Sequence, residues 1–205
     1  MESVQHHEDT LSQQAVDLIA GQPGVEDERY LYRNTKDDRN VLVDYGLSLI
    51  HIFSLEQKQQ PVYDTLAVAL GGILLNAEKK QIDVQVECPE HLDARHDRKW
   101  TSEALFNILD NAVKYTPAGG QIRVSVEGWE MYVKIDIADT GIGISEQHQG
   151  TIFKRFYRED VVHDVDGIGI GLYLAREIVT LQGGYIRVVS EVGKGSTFSV
   201  FLLRK

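Results

Sequence analysis

Four short stretches in the second half of the chain, ILDNAVKYT, DTGIGI, GIGIGL and GKGSTF, follow one another in that order and carry complementary chemistry. In the first, Asn107, Asn111, Lys114 and Tyr115 gather on one side of an expected helix, roughly opposite Leu105, Ile108, Leu109 and Ala112. Two carboxamides and an ammonium one turn apart offer oxygen to a hard cation and positive charge to a phosphate, and Tyr115 is left to pack on a ligand. Magnesium takes most of its shell from water and nucleotide phosphates, so a single Asn oxygen is enough to hold it. The alternative for this helix alone is a solvated polar face.

In DTGIGI, Asp139 falls at the end of an alternating apolar strand and the glycines open a loop. A carboxylate there can accept a hydrogen bond from the exocyclic amine of adenine, where guanine would present a carbonyl; a turn-forming Asp-Thr-Gly is the alternative. Gly167, Gly169 and Gly171 lie at the mouth of a further helix, where backbone N–H groups and the helix dipole favour phosphate. The dinucleotide fingerprint GxGxxG fails because its third glycine would fall at Leu172, and GxxxxGK[ST] is absent. Between the loops, IFKRFYRED sets Phe153 and Phe156 three residues apart before a polar acidic stretch reaching Asp166. It reads as a loop anchored by two aromatics and free to close over a nucleotide, or as two core residues.

The elements that must position these residues can be read in outline. From about Asp9 to Glu56 the pattern is helical, broken at Gly21, Gln22, Pro23 and Gly24, which predicts a helical hairpin. In its second helix Leu31, Thr35, Asp38, Leu42, Tyr45, Leu49 and Ile52 form a heptad seam. Such a seam is buried by a second copy in a dimeric four-helix bundle, or against the downstream domain. The composition changes after Gln59, Gln60 and Pro61, so two domains are expected, 1–60 and 61–205. In the second, helices from Val62 to about Glu78, Lys99 to Tyr115 and Gly171 to Gln182 accompany strands around Ile82–Val86, Ile122–Val126, Met131–Ile137, Tyr185–Ser190 and Thr197–Leu203. Strands with one apolar face and three amphipathic helices predict a two-layer α/β sandwich, giving an α+β chain as a whole.

The net charge of −10, without any Lys/Arg cluster, argues against nucleic acid as a partner. Cys88 is the only cysteine, so no internal disulfide can form and a reducing compartment is expected. The longest apolar run, Leu66 to Leu75, is too short to span a bilayer, and no signal segment opens the chain. The expectation is a cytoplasmic segment making no membrane contact of its own, with room for a membrane sensor portion upstream.

Taken together, DNAVKY, DTGIGI, FKRF, GIGIGL and GKGSTF resemble the N, G1, F, G2 and G3 boxes of bacterial sensor histidine kinases, over essentially Val62 to Lys205. The resemblance implies the Bergerat ATP-binding fold shared with gyrase, Hsp90 and MutL ATPases, with ATP and Mg²⁺ as cofactors. It implies that Asn111 coordinates Mg²⁺, that Asn107 and Lys114 face the phosphates, that Tyr115 packs near the adenine and that Asp139 binds its amino group. Gly141 and Gly143 would shape the base pocket and Thr197 would line its base end. Gly167, Gly169 and Gly171 would hinge a lid, with Phe156 and Leu172 of the F and G2 boxes beside the nucleotide. The related ATPases resemble a pattern with a water-activating Glu four residues before the metal Asn; here that position is Asn107, which suits transfer to a protein side chain.

The hairpin is similar to a dimerisation and histidine-phosphotransfer domain, whose motif is His, an acidic residue, two others, Thr or Asn, then Pro. His7 precedes Glu8 but has Leu11 at the fourth place; His6 has Thr10 correctly placed but His7 where the acid belongs, and neither has the proline. Both are phosphoacceptor candidates, through a neutral imidazole nitrogen. The implied activity is ATP-dependent autophosphorylation of a histidine within a homodimer, with onward transfer to an aspartate of a response-regulator receiver domain. The alternative is an ATP-binding regulatory module without autophosphorylation.

Overall fold

The computed structural model describes residues 31–33, 40–42, 55–157 and 169–205, and the chain divides into two units, Met1–Ser54 and Leu55–Lys205. In the first unit, β1 (Leu31–Arg33) pairs antiparallel with β2 (Asn40–Leu42), Leu31 in register with Leu42 and Tyr32 with Val41. These residues therefore depart from the helix expected there. Tyr32 and Val41 are residue types that favour strands. The rest of the expected hairpin, with His6, His7 and the other heptad positions, lies outside the described residues.

The second unit begins six residues earlier than the composition change suggests. Lys58–Pro61 forms β3, paired antiparallel with β5 (Asp93–His96), and the Gln60 side chain donates to the His96 carbonyl at 2.7 Å. Gln59 and Gln60 thus belong to this unit. The helix expected from Val62 to Glu78 is two helices, α1 (Val62–Gly71) and α2 (Leu74–Lys79). The break falls where Gly72 passes so close to α3 (Arg98–Tyr115) that an added Cβ would meet the Phe106 ring at 2.8 Å. In α1 the buried residues Val62, Thr65, Leu66 and Ala69 repeat at helical spacing and turn one stripe inward.

Five strands make the main sheet: β4 (Asp83–Glu87), β6 (Gln121–Gly128), β7 (Tyr132–Asp139), β8 (Tyr185–Glu191) and β9 (Gly195–Leu203), in the order β4-β6-β7-β9-β8. Only β4 and β6 run parallel, which requires a crossover, and α3 supplies it. Ile122, Val124, Val133, Ile135, Ile137, Val200 and Leu202 alternate onto one face and are buried. Against them lie Leu105, Ile108 and Leu109 of α3 and Ala175, Ile178 and Val179 of α5 (Gly171–Leu181). A short α4 (Glu146–Gln149) follows the first glycine loop.

The two long helices are fixed at their ends by polar bonds. Asp97 caps α3 by accepting the Trp100 N–H at 3.0 Å, and its other oxygen accepts the Glu56 N–H at 2.7 Å. Gln182, buried just past α5, accepts the Asp97 N–H at 2.6 Å and joins Thr101, tying the start of one helix to the end of the other. At the far end of α3 the Lys80 ammonium donates to the Val113 and Lys114 carbonyls, where the helix dipole favours a cation. Beneath α1, Thr65 and His96 are fully buried and bonded at 2.7 Å. The other face of the sheet carries its own aromatic cluster, in which Tyr185 stacks on Phe201 at 4.2 Å while Trp129 and Tyr132 meet Phe201 edge-on.

Candidate functional site

The surroundings of Asp139 are built by one rung of the sheet. Asp139, the last residue of β7, is in register with Ile122 on one side and Ser196 on the other, and Ser196 is in register with Ser190. Asp139 Oδ1 accepts the Gly141 N–H at 2.8 Å, closing a turn, and the Ser196 N–H at 3.3 Å. Both bonds land on Oδ1, which leaves the lone pairs of Oδ2 for a ligand. Burial raises the carboxyl pKa above its ordinary value, against the pull of these two backbone donors.

The loop after Asp139 is held against both neighbours. The Ile142 N–H donates to the Tyr115 carbonyl at 3.3 Å, joining the loop to the end of α3, and the Ile142 carbonyl accepts from Gly193 at 2.8 Å. Gly143 has φ +71°, and a Cβ there would fall 2.1 Å from the Glu191 carbonyl oxygen, so the turn requires glycine on both counts.

On α3, Asn107, Asn111 and Lys114 are half-buried on one face and Tyr115 ends the helix beside the loop. Asn107 donates its amide to the Glu103 carbonyl at 2.8 Å. Its oxygen is thereby turned toward Gly171, where an added Cβ would come within 2.8 Å of it. Asn107 and the first residue of α5 are therefore brought together. Asn111, one turn on, makes no hydrogen bond among the described residues, so its carboxamide oxygen is free for a cation. Those residues hold no cluster of three acidic, His or Cys side chains, so a metal held by Asn111 would need its remaining ligands from elsewhere, such as phosphate oxygens and water. Lys114 differs from expectation in one respect: its ammonium is 2.7 Å from Asp110, an i,i−4 pair on the helix.

The aromatic pair separates in role. Phe153 is core, edge-on to Phe198 at 6.3 Å and covered by the Arg176 guanidinium. Phe156 adopts φ +59° and donates its N–H to the Gly169 carbonyl at 3.0 Å; Gly169 has φ +75°. The two flanks of the acidic segment thus meet, and Arg155 adds a 2.7 Å bond to Tyr173 on α5. Leu172 lies in the first turn of α5, half-buried against the core. Gly167 lies outside the described residues.

Thr197 borders a cavity of about 280 Å³ that also touches Asp139, Ser190, Glu191, Lys194 and Ser196. None of the α3 residues lines it. The register gives Thr197 to Ala138 and Val189, on the face opposite Asp139, so Ser196 is the side chain that stands beside the carboxylate. Ser196 and Ser190 escaped the sequence reading. Counting the strand alternation back from the buried Val200 and Phe198 would have put Ser196 on the inner face.

Comparison with known proteins bears on the fold and the family. The chain is 40% identical over 141 residues to the adaptive-response sensory kinase SasA of Synechococcus sp. (strain JA-3-3Ab), covering 68% of this chain and 36% of that protein. It is 33% identical over 194 residues to the sensor-like histidine kinase SenX3 of Mycobacterium bovis, covering 90% of this chain and 47% of the relative. The chain therefore spans less than half the length of these relatives. Among solved structures, histidine kinase ThkA in complex with response regulator protein TrrA superimposes with a TM-score of 0.63 at 22% identity, over 74% of this chain and 42% of that one, a likeness of fold. The model of the histidine kinase-, DNA gyrase B- and HSP90-like ATPases matches residues 96–205, more than half the chain. The chain belongs to that ATPase family, and its second unit is the family's ATP-binding α/β sandwich.

Proposed function

We propose that this chain is the kinase core of a two-component sensor histidine kinase, binding Mg-ATP in the second unit and transferring its terminal phosphoryl group to a histidine. The observation that carries this reading is the meeting of three elements. Asp139 ends β7 with Oδ2 free, the adjacent loop is bonded to Tyr115 on α3, and Asn107 on the same helix abuts the first residue of α5. A purine amine at Asp139 then leaves phosphates to reach the asparagine face and the α5 N-terminus. Asn111 would hold a magnesium ion, which when bound would neutralise charge on the phosphates. Lys114 reaches them by exchanging its Asp110 partner for phosphate oxygen.

Asn107 supports phosphoryl transfer over hydrolysis, because a carboxamide cannot take a proton from water as a glutamate can. His7 and His6 are the proposed acceptors, within a homodimer formed through residues up to about 60, and a receiver-domain aspartate is the next acceptor. Among the described residues no helix is long and apolar enough to cross a membrane. We assign the unit to the cytoplasmic side, where ATP is found.

The incomplete acceptor motifs around His6 and His7 favour one second reading, a nucleotide-binding regulatory module without transfer. Incubation with terminally labelled ATP separates the two. Acid-labile, base-stable label on the protein supports the kinase, bound nucleotide without label supports the module, and free phosphate alone overturns both in favour of an ATPase.

A further inference from the structure

We infer that Ser190 is a positioning residue for base selection, fixing the hydroxyl of Ser196 as a hydrogen-bond acceptor beside Asp139. This rests on the nucleotide reading above and names the residue that sharpens it. The Ser190 hydroxyl stands at the centre of three groups. It accepts the Ile144 N–H at 2.7 Å, lies 2.9 Å from the Gly195 carbonyl oxygen and lies 2.9 Å from Ser196 Oγ. The Ser190 backbone carbonyl accepts the Gln149 side-chain amide at 2.8 Å, which holds the end of α4 to the same strand.

A serine hydroxyl has one proton and two lone pairs. One lone pair of Ser190 is taken by Ile144. The carbonyl of Gly195 can only accept, so the Ser190 proton goes there, and the second lone pair takes the proton of Ser196. That arrangement pairs every polar group in the cluster, whereas reversing the Ser190–Ser196 bond costs the Gly195 carbonyl this partner. Ser196, its proton committed, turns only lone pairs toward the cavity that it lines together with Asp139. The end of the rung is then an acceptor-only surface. It matches the amine at the 6-position of adenine and opposes the carbonyl oxygen that guanine carries there. Ser190 touches no base in this scheme; it acts through Ser196 and through the loop bonded at Ile144.

Calorimetric titration of the full chain with ATP and with GTP, each with magnesium, tests the assignment. Wild-type protein is expected to prefer ATP. Ser190→Ala frees the Ser196 proton to swing toward a carbonyl, so the ATP-to-GTP affinity ratio is expected to narrow by roughly tenfold, the scale of one hydrogen bond changed in sign. Ser190→Thr, which keeps the hydroxyl, is expected to retain the wild-type ratio. Ser196→Ala is expected to narrow the ratio as Ser190→Ala does, and the double variant to narrow it no further, since both act on one group. A purely structural Ser190 weakens both nucleotides equally, and an unchanged ratio in Ser190→Ala overturns the inference alone. Should Ser190→Ala fail to fold, an unchanged ratio in Ser196→Ala serves the same purpose. Wild-type chain that takes up neither nucleotide overturns the nucleotide reading itself.

Discussion

Replacing Asp139 by Asn is the most direct perturbation of the proposed site, because the two side chains have the same shape and the structure separates their tasks. The Gly141 and Ser196 N–H groups both bond Oδ1, and an amide oxygen in that place can accept both. The turn should therefore survive. What changes is the other branch, where a carboxylate oxygen becomes an NH₂ that confronts the adenine amine donor to donor. A hydrogen bond to a charged group contributes about 1.5–3 kcal/mol, which is roughly 10- to 150-fold in affinity.

Stability should move the other way or not at all, since burial already disfavours the charge of Asp139. A carboxyl whose folded pKa is raised binds its proton more tightly in the folded state. The stability linked to it is complete below the ordinary carboxylate value and is lost as pH rises through the raised one. Asp139→Asn removes that loss. Calorimetry with Mg-ATP and thermal melts across acidic to neutral pH read the two effects separately. ATP binding at wild-type strength in a folded Asp139→Asn variant would falsify the assignment of Asp139 to the base.

Other perturbations have distinct expected outcomes. Asn111→Ala should abolish the magnesium-dependent part of ATP binding while leaving the melt nearly unchanged, because the side chain bonds nothing among the described residues; magnesium dependence equal to wild type in a titration would remove it as the metal ligand. Gly143→Ala should destabilise by about 1–3 kcal/mol from backbone conformation alone, with the clash at Glu191 added, as seen in denaturant midpoints. Thr65→Val leaves His96 Nε2 buried without its partner and should cost about 1–3 kcal/mol by chemical denaturation. His96 donates from Nδ1 to the Ala94 carbonyl, and burial holds its pKa below the usual histidine value, so its unfolded form binds more protons in the window between. Stability should then rise as pH rises from that lowered value toward about 6.5, and a pH–melt profile that falls there instead excludes the neutral assignment.

The strands and helices that carry the site were legible because their patterns are strong and local. Alternation in Ile122–Val126 and Val133–Ile137, and the apolar stripe Leu105, Ile108, Leu109, Ala112, fixed both the elements and their inward faces. Asp139 and the asparagine face followed from these. What could not be read was set by contacts distant in sequence. The break between α1 and α2 arises from Phe106, more than thirty residues away. The short pair β3 and β5 has no period to detect, and one of its strands ends in proline. Lys114 was assigned from its charge, but Asp110 one turn earlier takes that charge in this structure. The placement of Ser196 over Thr197 depends on register, where a shift of one residue moves a side chain to the opposite face of a sheet.

The position of β9 has a consequence for how the molecule is made. Gly195–Leu203 is the last strand in chain order but lies inside the sheet, flanked by β7 and β8 on either side. During synthesis both neighbours must wait with exposed edges, because nothing earlier in the chain occupies that slot. The carboxylate at residue 139 gains its Ser196 donor only at that insertion, so a nascent chain stopped before residue 195 carries Asn107, Asn111 and the glycines of the proposed pocket yet lacks the strand beside Asp139. Insertion of β9 between two waiting edges therefore favours completion of the sheet around Asp139 in one cooperative step.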